Sequence, residues 1–135
     1  MNPRLVVVVC IGFIAACIVS CNEDTTGPEG SPSDVAFPDS NVSYEQHVRR
    51  LFNQTCALGG CHDDGPHQSA LRLTSWGSTV IDVPGVVVPG DPDNSTLVLR
   101  IEGRLGVRMP LNRNPLNQNQ TNGIRKWVAE GAENN

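Results

Sequence analysis

The residues best suited to chemistry are Cys56, Cys61 and His62, in the run Cys56-Ala57-Leu58-Gly59-Gly60-Cys61-His62. Two thiols followed directly by an imidazole form the pattern of covalent c-type haem attachment. Each sulfur makes a thioether to a haem vinyl group, and the histidine binds iron from the proximal side. The usual spacing puts two residues between the cysteines; here there are four. The extra pair must bulge outward so that both sulfurs still reach the vinyls. Gly59-Gly60 suits a bulge, because glycine takes positive φ at little steric cost. A second axial ligand must come from far along the chain. Met109, the only methionine besides Met1, lies 47 residues after His62, in a loop rich in Gly and Pro. Its thioether is a soft ligand for haem iron, and His/Met ligation raises the reduction potential. The plainer role for Met109 is filling a gap in the core. His67 is the alternative distal ligand, though it lies only five residues from His62, and His47 is expected at a surface or edge.

Four short elements are placed to hold these groups. Ser43 is a good N-cap, with Gln46 three residues on as its capping partner. Tyr44, Val48, Leu51 and Phe52 then fall on one helical face, so a helix is expected to run to Phe52 or Asn53 and deliver Cys56. Leu71-Arg72-Leu73 is apolar at alternate positions, and residues 75–81 suit a short helix. Asp91-Pro92 reads as an N-cap followed by proline at the first helical position. That predicts a helix to Glu102 with Leu97, Val98 and Ile101 inward and Gly103 as its stop. A last helix is expected from Asn117, with Gln120 as capping partner, Thr121, Ile124, Trp127 and Val128 buried, and Gly131 closing it. Gly123 weakens that helix by about 1 kcal/mol relative to Ala, unless it permits close backbone approach to the first helix.

The N-terminus reads as export sequence. Arg4 precedes an apolar run over residues 5–19, the layout of a secretory signal. The run is shorter than the ~20 residues needed to span a bilayer. It ends in Ile18-Val19-Ser20-Cys21, which resembles a bacterial lipobox and implies acylation of Cys21. Residues 1–20 are then a lipoprotein signal peptide, Cys10 and Cys17 leave with it, and Cys21 takes lipid. Only Cys56 and Cys61 remain for the folded domain. Residues 21–42 carry five acids and no base among Gly, Pro, Ser and Thr, as expected of a disordered, self-repelling tether. The domain is placed at residues 43–135, where nine acids balance nine bases within a net charge of -4. No basic patch there argues for nucleic acid. Aromatic residues are only 4% of the chain, so a small domain of this kind profits from a cofactor as part of its core.

Residues 43–135 resemble a class I cytochrome c domain, particularly the short variants of planctomycete-type bacterial proteins. The resemblance rests on the order of Leu71-Arg72-Leu73, Pro89-Gly90-Asp91-Pro92, Ser95-Thr96-Leu97, Met109-Pro110 and Trp127-Val128-Ala129-Glu130-Gly131-Ala132 after the haem motif. It implies an all-α, cytochrome c-like fold of three to four short helices with long loops around one haem. It implies one covalent haem c at Cys56 and Cys61, with His62 as proximal and Met109 as distal ligand. It also implies that the first and last helices cross through Phe52 and Trp127, that Pro89 and Pro110 shape the crevice, and that Arg72 or Arg108 faces a propionate. The function expected is single-electron transfer to redox partner proteins, in the periplasm or at the cell surface.

Two rival readings use the same residues. A zinc module would take Cys56, Cys61 and His62 with His47 or His67, but adjacent Cys-His chelates poorly and a second Cys pair is missing. A haem-free lipoprotein module with a Cys56–Cys61 disulfide suits an oxidising compartment, but leaves the Cys-His adjacency and the Met-Pro loop unexplained. Enzymatic catalysis has no support: the sequence shows no nucleophile–base frame, phosphate loop or paired-carboxylate motif.

Overall fold

Ser43 caps the first helical segment as its sequence implies, its hydroxyl accepting the Gln46 N–H over 3.2 Å. In the computed structural model, which describes residues 33–66 and 70–135, a π-helical turn Tyr44–Val48 runs straight into helix α1, Arg49–Thr55. Tyr44, Val48, Leu51, Phe52 and Thr55 are buried, so the expected apolar face is the one that packs, and the helix runs a turn-fraction further than Phe52. Helix α2, Trp76–Val80, begins at Ser75, where reciprocal bonds with Ser78 form a capping box. Helix α4, Gln118–Ala129, starts at Asn117, with the expected Gln120 box complete on both sides. Among the described residues every regular element is helical, so the fold is all-α: short helices joined by long loops.

The expected helix from Asp91 to Glu102 is instead two pieces. A 3-10 turn, Pro92–Asn94, precedes helix α3, Thr96–Ile101. Ser95 interrupts it because its hydroxyl is claimed elsewhere: it accepts the Val88 N–H at 2.8 Å and donates to the Asp91 carbonyl at 2.9 Å. A serine that bonds nearby backbone competes with the helix. The break turns α3 so that Leu97, Val98 and Ile101 are all buried. Two further bonds, Thr96 N–H to Gly85 O and Leu97 N–H to Val86 O, lay the extended 85–88 segment along its start.

Helix α4 crosses the first helical segment as expected, but the ring pair at the crossing is Tyr44–Trp127, 5.6 Å between centroids, and not Phe52–Trp127. Phe52 is buried in the same core. Trp127 also donates its indole N–H to Glu133 O, and Trp76 donates to Ala132 O, so both indoles pin the stretch after α4.

The folded unit begins earlier than residue 43. Within the stretch expected to be tether, residues 33–42 pack along α4, with Val35, Phe37 and Val42 buried. Asn119 exchanges two hydrogen bonds with the Phe37 backbone (2.8 and 2.9 Å), Gln120 donates to Ser33 O, and Glu130 accepts the N–H groups of Asn41 and Val42. Composition hid this strap, since its three buried residues, Val35, Phe37 and Val42, sit in a stretch rich in Ser, Asp and Pro. Gly123 is explained by it: any Cβ there would collide with the Phe37 ring, so the close approach comes from Phe37 and not from the first helix. Residues 21–32, the signal segment with Cys21, and His67 lie outside the described residues.

Candidate functional site

Helix α1 stops at Thr55, and Cys56 caps it by donating its N–H to Phe52 O over 2.8 Å. The chain then closes a small loop. Cys61 N–H reaches Leu58 O at 2.8 Å, and His62 N–H returns to Cys56 O at 3.1 Å. Gly60 takes the left-handed step at φ 77°, which a side chain rarely adopts. The two extra residues therefore form the outward bulge that the spacing demands, with Gly59 and Gly60 both exposed. Cys56, Cys61 and His62 end on one turn.

The segment read as Leu71-Arg72-Leu73 locks the histidine. Leu73 donates its N–H to His62 O at 2.9 Å, and His62 Nδ1 lies 2.9 Å from Leu71 O. A carbonyl only accepts, so Nδ1 carries the proton in this bond. A backbone partner on one ring nitrogen is the usual way a metal-ligating histidine is held in tautomer and orientation.

Two adjoining cavities, of about 240 and 230 Å³, share His62 and Met109 among their lining residues. The first is otherwise mostly apolar, with Leu71, Leu73, Val86, Leu97 and Ile101. The second is bordered by Cys56, Cys61 and Pro110. Each alone falls below the ~300 Å³ at which cofactor pockets begin, and together they exceed it. Met109 is held by its own backbone, whose N–H donates to Arg100 O at 3.0 Å, and its bond to Pro110 is cis. These residues fit a haem: an apolar cleft, an imidazole of fixed orientation, a thioether sulfur, and two free thiols at the rim. Cys61 is exposed and Cys56 half-buried. Burial pushes the Cys56 thiol up to about 11, partly opposed by the Thr55 hydroxyl 3.1 Å from its sulfur.

A family model described as planctomycete cytochrome C matches residues 59–110. The match supports a cytochrome c-like domain. It spans Cys61, His62, Met109 and Pro110, and leaves Cys56, α1 and α4 outside. No curated protein and no solved structure matches the chain.

Other expected positions of the cytochrome c-like domain fall differently. Arg72 pairs with Asp82 at 2.8 Å on the surface, and Arg108 lies exposed beside Gly103. The arginines at the cavities are Arg100, whose Nη1 donates to Val107 O, and Arg113. Sequence reasoning missed both. Arg100 sits between Leu97 and Ile101 on the same turn of α3, and Arg113 follows Met109 by four residues, but neither placement marks an arginine as facing the cavities. Pro110 borders the second cavity, while Pro89 is exposed on a separate turn. His47 accepts the Ser43 N–H at Nδ1 and stacks near Phe37, an edge role as expected. Among the described residues no three His, Cys, Asp or Glu side chains are grouped to hold a metal ion, so the zinc reading finds no ligand set there.

Proposed function

We propose that this chain is an exported, lipid-anchored monohaem c-type cytochrome that carries single electrons between redox partner proteins. The observation that carries the reading is His62. Its Nδ1 is tied to Leu71 O, and it lines, together with Met109, a mostly apolar cleft whose rim holds Cys56 and Cys61. In this reading Cys56 and Cys61 add their S–H bonds across the two haem vinyl groups and hold the group covalently. His62 and Met109 would ligate the iron, and Arg100 and Arg113, which line the cavities, would pair with the propionates. Haem, when bound, supplies one-electron iron chemistry. Leu73, Leu97 and Ile101 exclude water from the cleft, and such burial, with a thioether ligand, raises the reduction potential. With both axial positions taken by side chains, the domain is an electron carrier and not an enzyme. The Ile18-Val19-Ser20-Cys21 run supports lipidation at Cys21, with the domain facing the periplasm or the cell surface.

Expression in a host competent in cytochrome c maturation tests the reading. A red protein whose haem survives denaturation and acid-acetone extraction is expected. A colourless product refutes it, and a mass lower by two hydrogens would then assign a Cys56–Cys61 disulfide. Replacing Cys21 by Ser is expected to move the protein from the membrane fraction to the soluble one; unchanged fractionation rejects the anchor.

A further inference from the structure

Of the two thiols, Cys61 is exposed on the bulge, and Cys56 is half-buried where α1 ends. Backbone bonds hold the bulge, but they do not by themselves fix the Cys56 side chain, which is left to choose among its staggered positions. Its sulfur has a side-chain partner in Thr55, whose Oγ1 lies 3.1 Å from Cys56 Sγ. Thr55 is 2% exposed and borders the second cavity together with Cys56 and Cys61. The Thr55 hydroxyl is already committed, because Oγ1 also lies 2.7 Å from Leu51 O, one turn back in α1. A carbonyl only accepts, so the single hydroxyl hydrogen goes to Leu51 O, and the contact with Cys56 has one hydrogen left to use, the thiol's own. Cys56 therefore donates its S–H to Thr55 Oγ1. The bond to Leu51 O also fixes the acceptor. Threonine in a helix divides between two χ1 positions, and bonding the carbonyl four residues back selects between them. A helical carbonyl thus sets the threonine, and the threonine sets the direction of the thiol.

We propose that Thr55 is a positioning residue for covalent attachment at Cys56: its hydroxyl oxygen, held by Leu51 O, keeps the Cys56 sulfur at the second cavity in the direction that meets a vinyl group. This rests on the reading of the chain as a covalent haem protein. In the attachment the Cys56 S–H bond and the π bond of the vinyl are lost and one S–C bond forms. The thiol hydrogen ends on the vinyl's second carbon, so no oxidant or reductant is consumed. The four-residue spacing makes the device necessary. The loop that fixes Cys61 beside His62 begins only after Cys56, so the first thiol takes its direction from the helix that precedes it. A plain packing role for Thr55 accounts for the same burial, but it makes the methyl group, and not the hydroxyl, the part that matters.

The test uses the full chain from a host competent in cytochrome c maturation. The protein is denatured, alkylated with iodoacetamide and digested, and the mass of each cysteine peptide tells which sulfur bears haem and which bears the label. The red parent is expected to carry haem on both cysteines. Thr55→Val keeps nearly the same shape and removes the hydroxyl. It is expected to stay red through Cys61 and to raise alkylation of Cys56 several-fold, as one ordinary hydrogen bond no longer favours the bonded rotamer. Thr55→Ser keeps the hydroxyl and drops the methyl, and is expected to hold attachment at Cys56 near the parent's level even where its melting point falls. Parent-like attachment in Thr55→Val overturns the proposal. So does failure at Cys56 in Thr55→Ser with success in Thr55→Val, which assigns Thr55 to packing, and so does equal loss at both cysteines in Thr55→Val, since positioning acts on Cys56 alone. A colourless parent refutes the haem reading itself, whereas a red parent with an insensitive Thr55→Val refutes only this role.

Discussion

At the scale of single residues, the site depends on which atoms are already committed. His62 Nδ1 lies 2.9 Å from Leu71 O, which fixes how the ring is turned. Met109 is positioned through its backbone and not through its sulfur. Met109→Ala is therefore expected to leave the loop in place and alter only the ligand. The haem stays covalently bound, the weak far-red sulfur-to-iron band disappears, and the potential falls relative to the parent. An absorption spectrum and a potentiometric titration check this, and persistence of the far-red band rejects Met109 as a ligand. The motif itself was legible from residues alone: two thiols, a histidine and a glycine pair define the turn, and Gly60 adopts the positive φ that the spacing calls for. The arginines were not legible, because a guanidinium carries no signature of what it faces. Only the course of α3 and the Met109 loop brings Arg100 and Arg113 to the cleft, while Arg72 is drawn off by Asp82.

At the scale of elements, capping chemistry predicted the helix starts at Ser43 and Asn117, each of which accepts the N–H three residues on, and Ser75 proves to cap α2 in the same way. Asp91 also caps as expected, accepting the Asn94 N–H, but the helix it starts is cut short, because the Ser95 hydroxyl serves the 88–91 turn. Periodicity could not foresee that, because the competing bond is to backbone outside the helix. The contact of Phe37 with Gly123 gives a sharper test. Gly123→Ala removes a helix-weakening residue, which alone would stabilise by about 1 kcal/mol. Against the Phe37 ring it forces repacking, and overpacking of this kind costs ~1–3 kcal/mol. A net loss of stability is expected. In a Phe37→Ala background, already destabilised by ~3–5 kcal/mol, the same substitution is expected to be neutral or stabilising. Chemical denaturation of the four variants checks the cycle; additivity would reject the contact. Glu130 supplies a second prediction. The Val42 N–H, then the Asn41 N–H and Lys126, hold its carboxyl below the usual range, against a smaller opposing effect of burial. Its folded pKa is depressed, so its contribution is present above the unfolded value, about 4.5, and is lost as pH falls through the lower folded one. Acid titration of stability is expected to flatten in this range for Glu130→Gln; an unchanged acid limb would show that the bonds to the strap contribute nothing.

At the scale of the whole molecule, the least legible feature was where folding begins. Residues 22–42 share one composition, rich in Gly, Pro, Ser and acids, and nothing in that composition separates a solvated tether from a strap. What separates them is partners: Asn119, Gln120 and Glu130 on α4 present side chains to backbone groups of residues 33–42, and Gly123 leaves room for a ring. Asn119 and Glu130 read as ordinary polar surface, Gln120 as a capping partner and Gly123 as a weak point of the helix until the strap is laid against them. The strap buries Val35, Phe37 and Val42, and full burial of such side chains is worth ~1.5–3 kcal/mol each. A small domain has a total stability of only ~5–15 kcal/mol, so losing the strap removes a large share of it. It also strips the cover from Gln120, whose amide is wholly buried and donates to Ser33 O and Val35 O. A chain starting at Ser33 is therefore expected to melt close to the full-length protein. One starting at Ser43, the boundary that composition suggests, is expected to melt lower by ten degrees or more, since each kcal/mol shifts the midpoint of a domain this size by ~4–8 °C. Differential scanning calorimetry on the two haem-loaded chains decides this. Equal midpoints would mean that the strap lies on α4 without stabilising it, and would return residues 33–42 to the tether.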